Sequence, residues 1–243
     1  MDPCWAALVL LASPSLVRQV PAQYADIPLA CYLTGAMVFA LMDRPALAGL
    51  FAGFAVWTKD EGLLFLIVFL VALAVFKRRV VFRAALAAAP VFLLLLFFKT
   101  VLTTFSAPQL SAGAAGGAGH IIDVARYGVI AAAFGRELIN MSAGWYHPVL
   151  PLIMLAIVLR FDVQSRRNLA FCGAVVAALL AGVFGVYVLT TNDLSWMLQT
   201  SLSRILTQIW PLVVLAVFAG FRRPEIQVIE AVVPAKTRKK AKR

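Results

Sequence analysis

Apolar runs broken by short charged segments set the pattern of this chain. The runs cover residues 4–13, about 27–42, 46–57, 63–76, about 84–104, 148–159, 169–190 and 205–221. Between the early ones stand Ser13-Pro14 with a polar stretch to Tyr24, then Asp43-Arg44-Pro45, Trp57-Thr58-Lys59-Asp60-Glu61-Gly62 and Lys77-Arg78-Arg79. Such runs predict helices in a bilayer, where a helix satisfies its own backbone. The fold class expected is all-α: a polytopic transmembrane helical bundle over residues 1–221, with about seven spans and a partial N-terminal one. Residues 4–13 alone are too short to cross. Residues 105–147 read as an outer loop, glycine-rich at Ser111–Gly119 and then an amphipathic helix lying in the interface. Residues 222–243 read as a basic tail.

Composition agrees. The 243 residues are 63% hydrophobic and 14% charged, and the mean hydropathy is +0.91. A net charge of +11 on a soluble protein would point to nucleic acid, but here the basic residues sit between the runs and in the tail Lys236–Arg243. Placing Arg44, Lys77, Arg78, Arg79, Arg83, Arg160, Arg166, Arg167, Arg222, Arg223 and the tail on the cytoplasmic side accounts for 16 of the 22 Lys and Arg and obeys every alternation. The partner surface expected is membrane lipid, not nucleic acid, and the C-terminus is expected in the cytoplasm. Asp26, Lys59, the 105–147 loop and the 191–204 segment then share the opposite face.

The charged turn Lys59-Asp60-Glu61 is the pivot. Twelve to fourteen helical residues on each side rise only about 18–21 Å against a core of about 30 Å, so the turn is expected to sit recessed in the outer leaflet. Charge at that depth needs a wet cavity or a partner. The simpler reading is a surface turn in water. Lys59 suits a phosphate as a point charge, with a neighbouring carboxylate to tune it.

Asp26, before Pro28 at the mouth of a span, suits a helix N-terminus. Facing a cavity, it would instead be a metal ligand or an orienter of an acceptor hydroxyl. Arg204 begins the last span on the basic-poor side, and Trp196, Thr200 and Arg204 fall four apart on one helical face. Its guanidinium suits phosphate oxygens bidentately, or snorkels to headgroups. Trp196 is otherwise an aromatic-belt residue. The loop also holds His120, Asp123, Arg126, Arg136, Glu137, Trp145, Tyr146 and His147, without ligand spacing for a metal. Cys4, Cys31 and Cys172 read as small core residues with no disulfide or zinc site. No phosphate-binding glycine loop, Ser-His-Asp arrangement or inverted repeat is visible.

Tyr24-Ala25-Asp26-Ile27-Pro28-Leu29-Ala30, the Gly49–Gly62 segment ending Thr58-Lys59-Asp60-Glu61-Gly62, and Ser195-Trp196 through Ser203-Arg204 to Gln208-Ile209-Trp210-Pro211 together resemble bacterial GT-C integral membrane glycosyltransferases. The nearest likeness is to the protein-mannosyltransferase-like and aminoarabinose-transferase-like enzymes. The resemblance extends over about 190 residues. It implies a multi-pass protein of the bacterial inner membrane that transfers a sugar from a polyprenyl-phosphate-linked donor to a glycan, lipid or protein acceptor on the periplasmic side. By that likeness Asp26 and Glu61 are the catalytic candidates, and Lys59 and Arg204 bind the donor phosphate. Tyr24, Asp60, Trp196 and Gln199 are candidates for lining the substrate, and Asp26 is the candidate ligand of a divalent metal ion. In such enzymes a first outer loop between the first two spans carries an acidic catalytic residue; residues 4–13 read as the end of a third span, so either an N-terminally truncated chain or a partner that supplies the loop is expected. The alternative is a non-enzymatic translocator or assembly protein of the envelope, handling lipid or solute.

Overall fold

The computed structural model describes residues 3–22, 24–102, 118–140, 147, 149–158 and 166–220. Among these, the regular structure is entirely helical. The elements are α1 (Pro3–Leu11), α2 (Pro14–Gln19), α3 (Asp26–Leu41), α4 (Pro45–Thr58), α5 (Glu61–Phe76), α6 (Arg78–Phe97), α7 (Val124–Asn140), α8 (Val149–Val158), α9 (Arg166–Leu189), α10 (Leu194–Thr200) and α11 (Leu202–Gly220). Most of Ser111–Gly119, Trp145, Tyr146, Arg160 and the 222–243 tail lie outside the described residues.

The helices follow the apolar runs to within a few residues, with proline at the start of α2 and α4 where its missing N–H costs nothing. Three stretches are long and apolar enough to cross a membrane: Arg78–Leu102, Arg166–Leu189 and Leu202–Gly220. The first is α6 extended by a π-helical turn, Phe98–Leu102. Helices α3, α4 and α5 are apolar but shorter, at 16, 14 and 16 residues. The N-terminal run is broken at Ser13, and its two halves, Cys4–Leu11 and Pro14–Ala22, bend by 71°. Ser13 anchors that bend, accepting a 2.7 Å hydrogen bond from the buried Trp210 indole and donating to the Val9 carbonyl.

Helix α11 is central. Its apolar window is 61% buried, against 28% for α9 and 11% for α6, and it packs against α3 and α9. Helix α6 shows Phe82, Leu86, Leu93, Leu94 and Phe97 on the outside. An apolar face of that extent is compatible with a place in a bilayer.

Helix α4 is held against α6 by small residues. A Cβ on Gly49 would lie 1.9 Å from the Ala84 carbonyl oxygen, and one on Gly53 3.1 Å from Val91. Gly49 and Gly53 are spaced four apart, facing Ala84 and Ala88, which lets the two backbones approach.

Opposite the charged turn, α3 ends in a Schellman motif. The Arg44 amide bonds to the Phe39 carbonyl and the Asp43 amide to that of Ala40, with Asp43 in the left-handed region at φ 54°. Helix α7 begins at Asp123, whose carboxylate accepts from the amides of Ala125 and Arg126. From α7, Arg126 reaches the end of α9 and donates to the carbonyls of Tyr187 (3.1 Å) and Thr190 (2.6 Å). It thereby satisfies acceptors that the helix leaves open. Arg126→Ala is expected to cost about 1.5–3 kcal/mol, read as faster amide exchange at the 187–190 end of α9 while the middle of α9 keeps its protection.

Cys172 is buried, but Cys4 and Cys31 are exposed, so the core reading of the cysteines holds for one of three. Cys31 sits at an exposed position of α3, outside the packed core.

Candidate functional site

The site begins with the turn between α4 and α5. Lys59 adopts extended backbone (φ −164°, ψ 155°) and ends α4. Helix α5 restarts at Glu61, with the Gly62 amide on the Lys59 carbonyl and the Leu63 amide on the Asp60 carbonyl. The reversal is this tight because Gly62 has no side chain: a Cβ there would lie 2.0 Å from the Ala55 carbonyl oxygen and 2.7 Å from the Val56 nitrogen, both backbone atoms. Lys59 and Glu61 consequently face the same side, with Lys59 Nζ 2.9 Å from Glu61 Oε1.

Lys59 Nζ also donates to Asp26 Oδ1 at 3.0 Å. Asp26 is the first residue of α3 and is completely buried. Its second oxygen accepts from Arg204 Nε at 2.7 Å, and Gln208 Nε2 donates to Oδ1 at 2.5 Å. The carboxylate is therefore not a cap for its own helix: no side-chain cap closes the start of α3. It ties together three segments far apart in sequence: the start of α3, the α4–α5 turn and the first turns of α11. Tyr24 completes the cluster, its ring centroid 4.1 Å from the Arg204 guanidinium carbon.

The balance of charge is even, with Asp26 and Glu61 against Lys59 and Arg204. Asp26 is buried, whereas the side chains of Lys59 and Arg204 remain 26% and 33% exposed. Buried charge requires such pairing, since an isolated carboxylate would be held at a cost of several kcal/mol (order of magnitude). The cations thus present part of their surface outward, backed by an anion that fixes their position. A separate cavity of about 200 Å³, lined with Ser15, Arg18, Gln19, Glu137, Ser203 and Thr207 among others, includes no member of this cluster in its lining.

Of the residues proposed from sequence, the structure brings together Asp26, Lys59, Glu61, Arg204 and Tyr24. Asp60 is adjacent in sequence but turns out: its side chain is 90% exposed and pairs with Lys99 at 2.7 Å. Trp196 and Gln199 are exposed on α10 and make no hydrogen bond to the Asp26 cluster. A turn at Ser201 separates α10 from α11, so Trp196 and Thr200 lie on a different element from Arg204. The Asp193 carboxylate caps α10 through the Trp196 amide, which gives that short helix its own start.

Asp26 does not suit a divalent cation. Both of its oxygens face cationic or amide donors, and among the described residues no three His, Cys, Asp or Glu side chains converge. The two histidines have local partners, His120 beside Arg126 and His147 on the Leu138 carbonyl.

Gln208 is the member that residue-by-residue reasoning missed, although a signal was present. It stands four residues after Arg204 on the same face, at the edge of a long apolar run. An amide there is costly unless it finds a partner. No family model, curated protein or solved structure matches the chain.

Proposed function

We propose that this chain is part of a membrane glycosyltransferase of the GT-C kind, moving a sugar from a polyprenyl-phosphate donor to an acceptor on the non-cytoplasmic face of a bacterial inner membrane. One observation carries the reading: Asp26 gathers Lys59 and Arg204, from separate segments, into one partly exposed, ion-paired cluster at a single end of the bundle. The proposal places seven spans at α3, α4, α5, α6, α8, α9 and α11, with the Lys- and Arg-rich ends in the cytoplasm. Helices α4 and α5 rise about 21 and 24 Å, short of a core of about 30 Å, which sets the turn below the outer surface.

In the reaction the acceptor oxygen bonds to the anomeric carbon. The bond from that carbon to the phosphate oxygen breaks, and the polyprenyl phosphate departs with the electron pair. Lys59 and Arg204 supply fixed positive charge where negative charge grows, in surroundings that strengthen it. Asp26, its oxygens already engaged, holds the two cations in place. Glu61, 30% exposed and bonded through one oxygen to Lys59, is the carboxylate with room to accept the acceptor proton.

The test uses membranes carrying the chain with any upstream segment its gene encodes, supplied with polyprenyl-phosphate pentoses and hexoses and assayed for free polyprenyl phosphate. Lys59→Ala and Arg204→Ala are each expected to lower turnover about 10²–10³-fold with insertion intact. Unchanged turnover in both would remove their assigned role. A second reading, an envelope translocator or assembly protein, draws on the same even charge balance, since a self-neutralised cluster also serves as a clamp between helices. It predicts no donor turnover in the parent.

A further inference from the structure

At the end of the bundle opposite Asp26, about 24 Å away along the 16 residues of α3, lies a cavity of about 930 Å³ lined by Asp43, Phe76, Lys77, Arg78, Arg79 and Arg167, among others. Among the described residues, four cations meet one carboxylate there. That carboxylate is already taken: Lys77 Nζ lies 2.7 Å from Asp43 Oδ1 and also donates to the Ala40 carbonyl at the end of α3. Arg167 spends part of its guanidinium on the Phe76 carbonyl at the end of α5. Among the described residues Arg78 and Arg79 have no carboxylate partner.

The two helices that start at this cavity make the excess sharper. Helix α6 opens with Arg78-Arg79 and α9 with Arg166-Arg167; neither has an acid in its first turn, and no side chain caps the start of α6. Helix N-termini carry partial positive charge and open amides, so arginines there stand against the dipole. The rule that basic residues remain in the cytoplasm explains their side of the membrane. It does not explain a cavity walled by them at two helix starts. An anion in the cavity would satisfy both the dipoles and the guanidinium groups.

We infer that this cavity binds the phosphate of an anionic phospholipid headgroup from the leaflet that surrounds it. The exposed apolar side chains Val75 and Phe82 flank the basic residues in sequence, giving acyl chains a surface beside the headgroup. The inference needs the chain to be in a bilayer, and is independent of sugar transfer.

The test is native mass spectrometry of the purified full chain in mixed micelles containing either phosphatidylglycerol or phosphatidylcholine. The parent is expected to retain phosphatidylglycerol at least tenfold more than phosphatidylcholine. Arg78→Gln/Arg79→Gln/Arg167→Gln should lose that preference, and the matching triple lysine variant should keep most of it. Arg44→Gln/Arg83→Gln, which removes exposed arginines that do not line the cavity, should behave as the parent. Equal retention of the two lipids, unchanged preference in the triple glutamine variant, or an equal loss in the Arg44/Arg83 control overturns the site. Failure of the glutamine variant to give a helical, monodisperse protein shifts the decision to the lysine variant, whose loss of preference likewise counts against a phosphate site. Displacement of the lipid by millimolar inorganic phosphate overturns the lipid source and assigns the cavity to a soluble phosphate.

Discussion

Asp26→Ala is expected to destabilise the detergent-solubilised chain by about 3–5 kcal/mol, seen as loss of helical circular dichroism at lower denaturant. The alanine removes the anion that Lys59, Arg204 and Gln208 share, leaving a buried amide unpartnered and two cations facing each other. Asp26→Asn should fall between the parent and the alanine variant, since it keeps an acceptor and the volume while losing the charge. An Asp26→Leu/Lys59→Met/Glu61→Gln/Arg204→Met/Gln208→Leu variant separates the roles of the cluster. Apolar replacement of a whole buried ionic set is often neutral or stabilising. This variant leaves neither the Glu61 charge nor the Gln208 amide without a partner, and should therefore recover most of the stability that Asp26→Ala loses and still show no donor turnover. An Asp26→Ala variant that unfolds with the parent would mean that the carboxylate does not join these segments.

Gly62→Ala is the second large effect, and it changes no charge. The new methyl group would meet the carbonyl of Ala55 and the amide of Val56, backbone atoms of the last turns of α4 that have no rotamer by which to withdraw. Overpacking of this kind costs about 1–3 kcal/mol, and here relief requires the start of α5 to swing away from α4. Lys59 and Glu61 move with it. The measurement is donor turnover beside thermal unfolding. Turnover should fall about tenfold or more even at temperatures where the variant remains folded, because a displacement near 1 Å at a positioned group costs on that order or more. Parent-like turnover with parent-like unfolding would show that the turn tolerates a side chain.

Both expectations concern a site whose parts were legible separately. Asp26, Lys59, Glu61 and Arg204 stand out as charges at the ends of apolar runs, where charge is expensive. Their alternation with the basic segments already assigns them to one side. What sequence could not rank was Asp60 against its neighbours: in a turn between two helices, adjacent residues diverge, and Asp60 faces outward to Lys99 while Lys59 and Glu61 face inward. Trp196 and Gln199 lie on the short helix α10, which a turn at Ser201 separates from α11 and Arg204, a division that spacing along the chain does not reveal.

The sequence by itself determined the all-helical class, the limits of the apolar helices and the separation of the charged residues into two ends, because hydropathy and the alternation of charge act locally along the chain. Only the tertiary structure decided that α4 packs closely on α6 through Gly49 and Gly53, that α11 is the central helix, and that Asp26 spends its oxygens on Lys59, Arg204 and Gln208 and not on its own helix. A buried carboxylate goes to whichever donors the packing delivers, and one of these lies 182 residues along the chain. No local pattern encodes that distance.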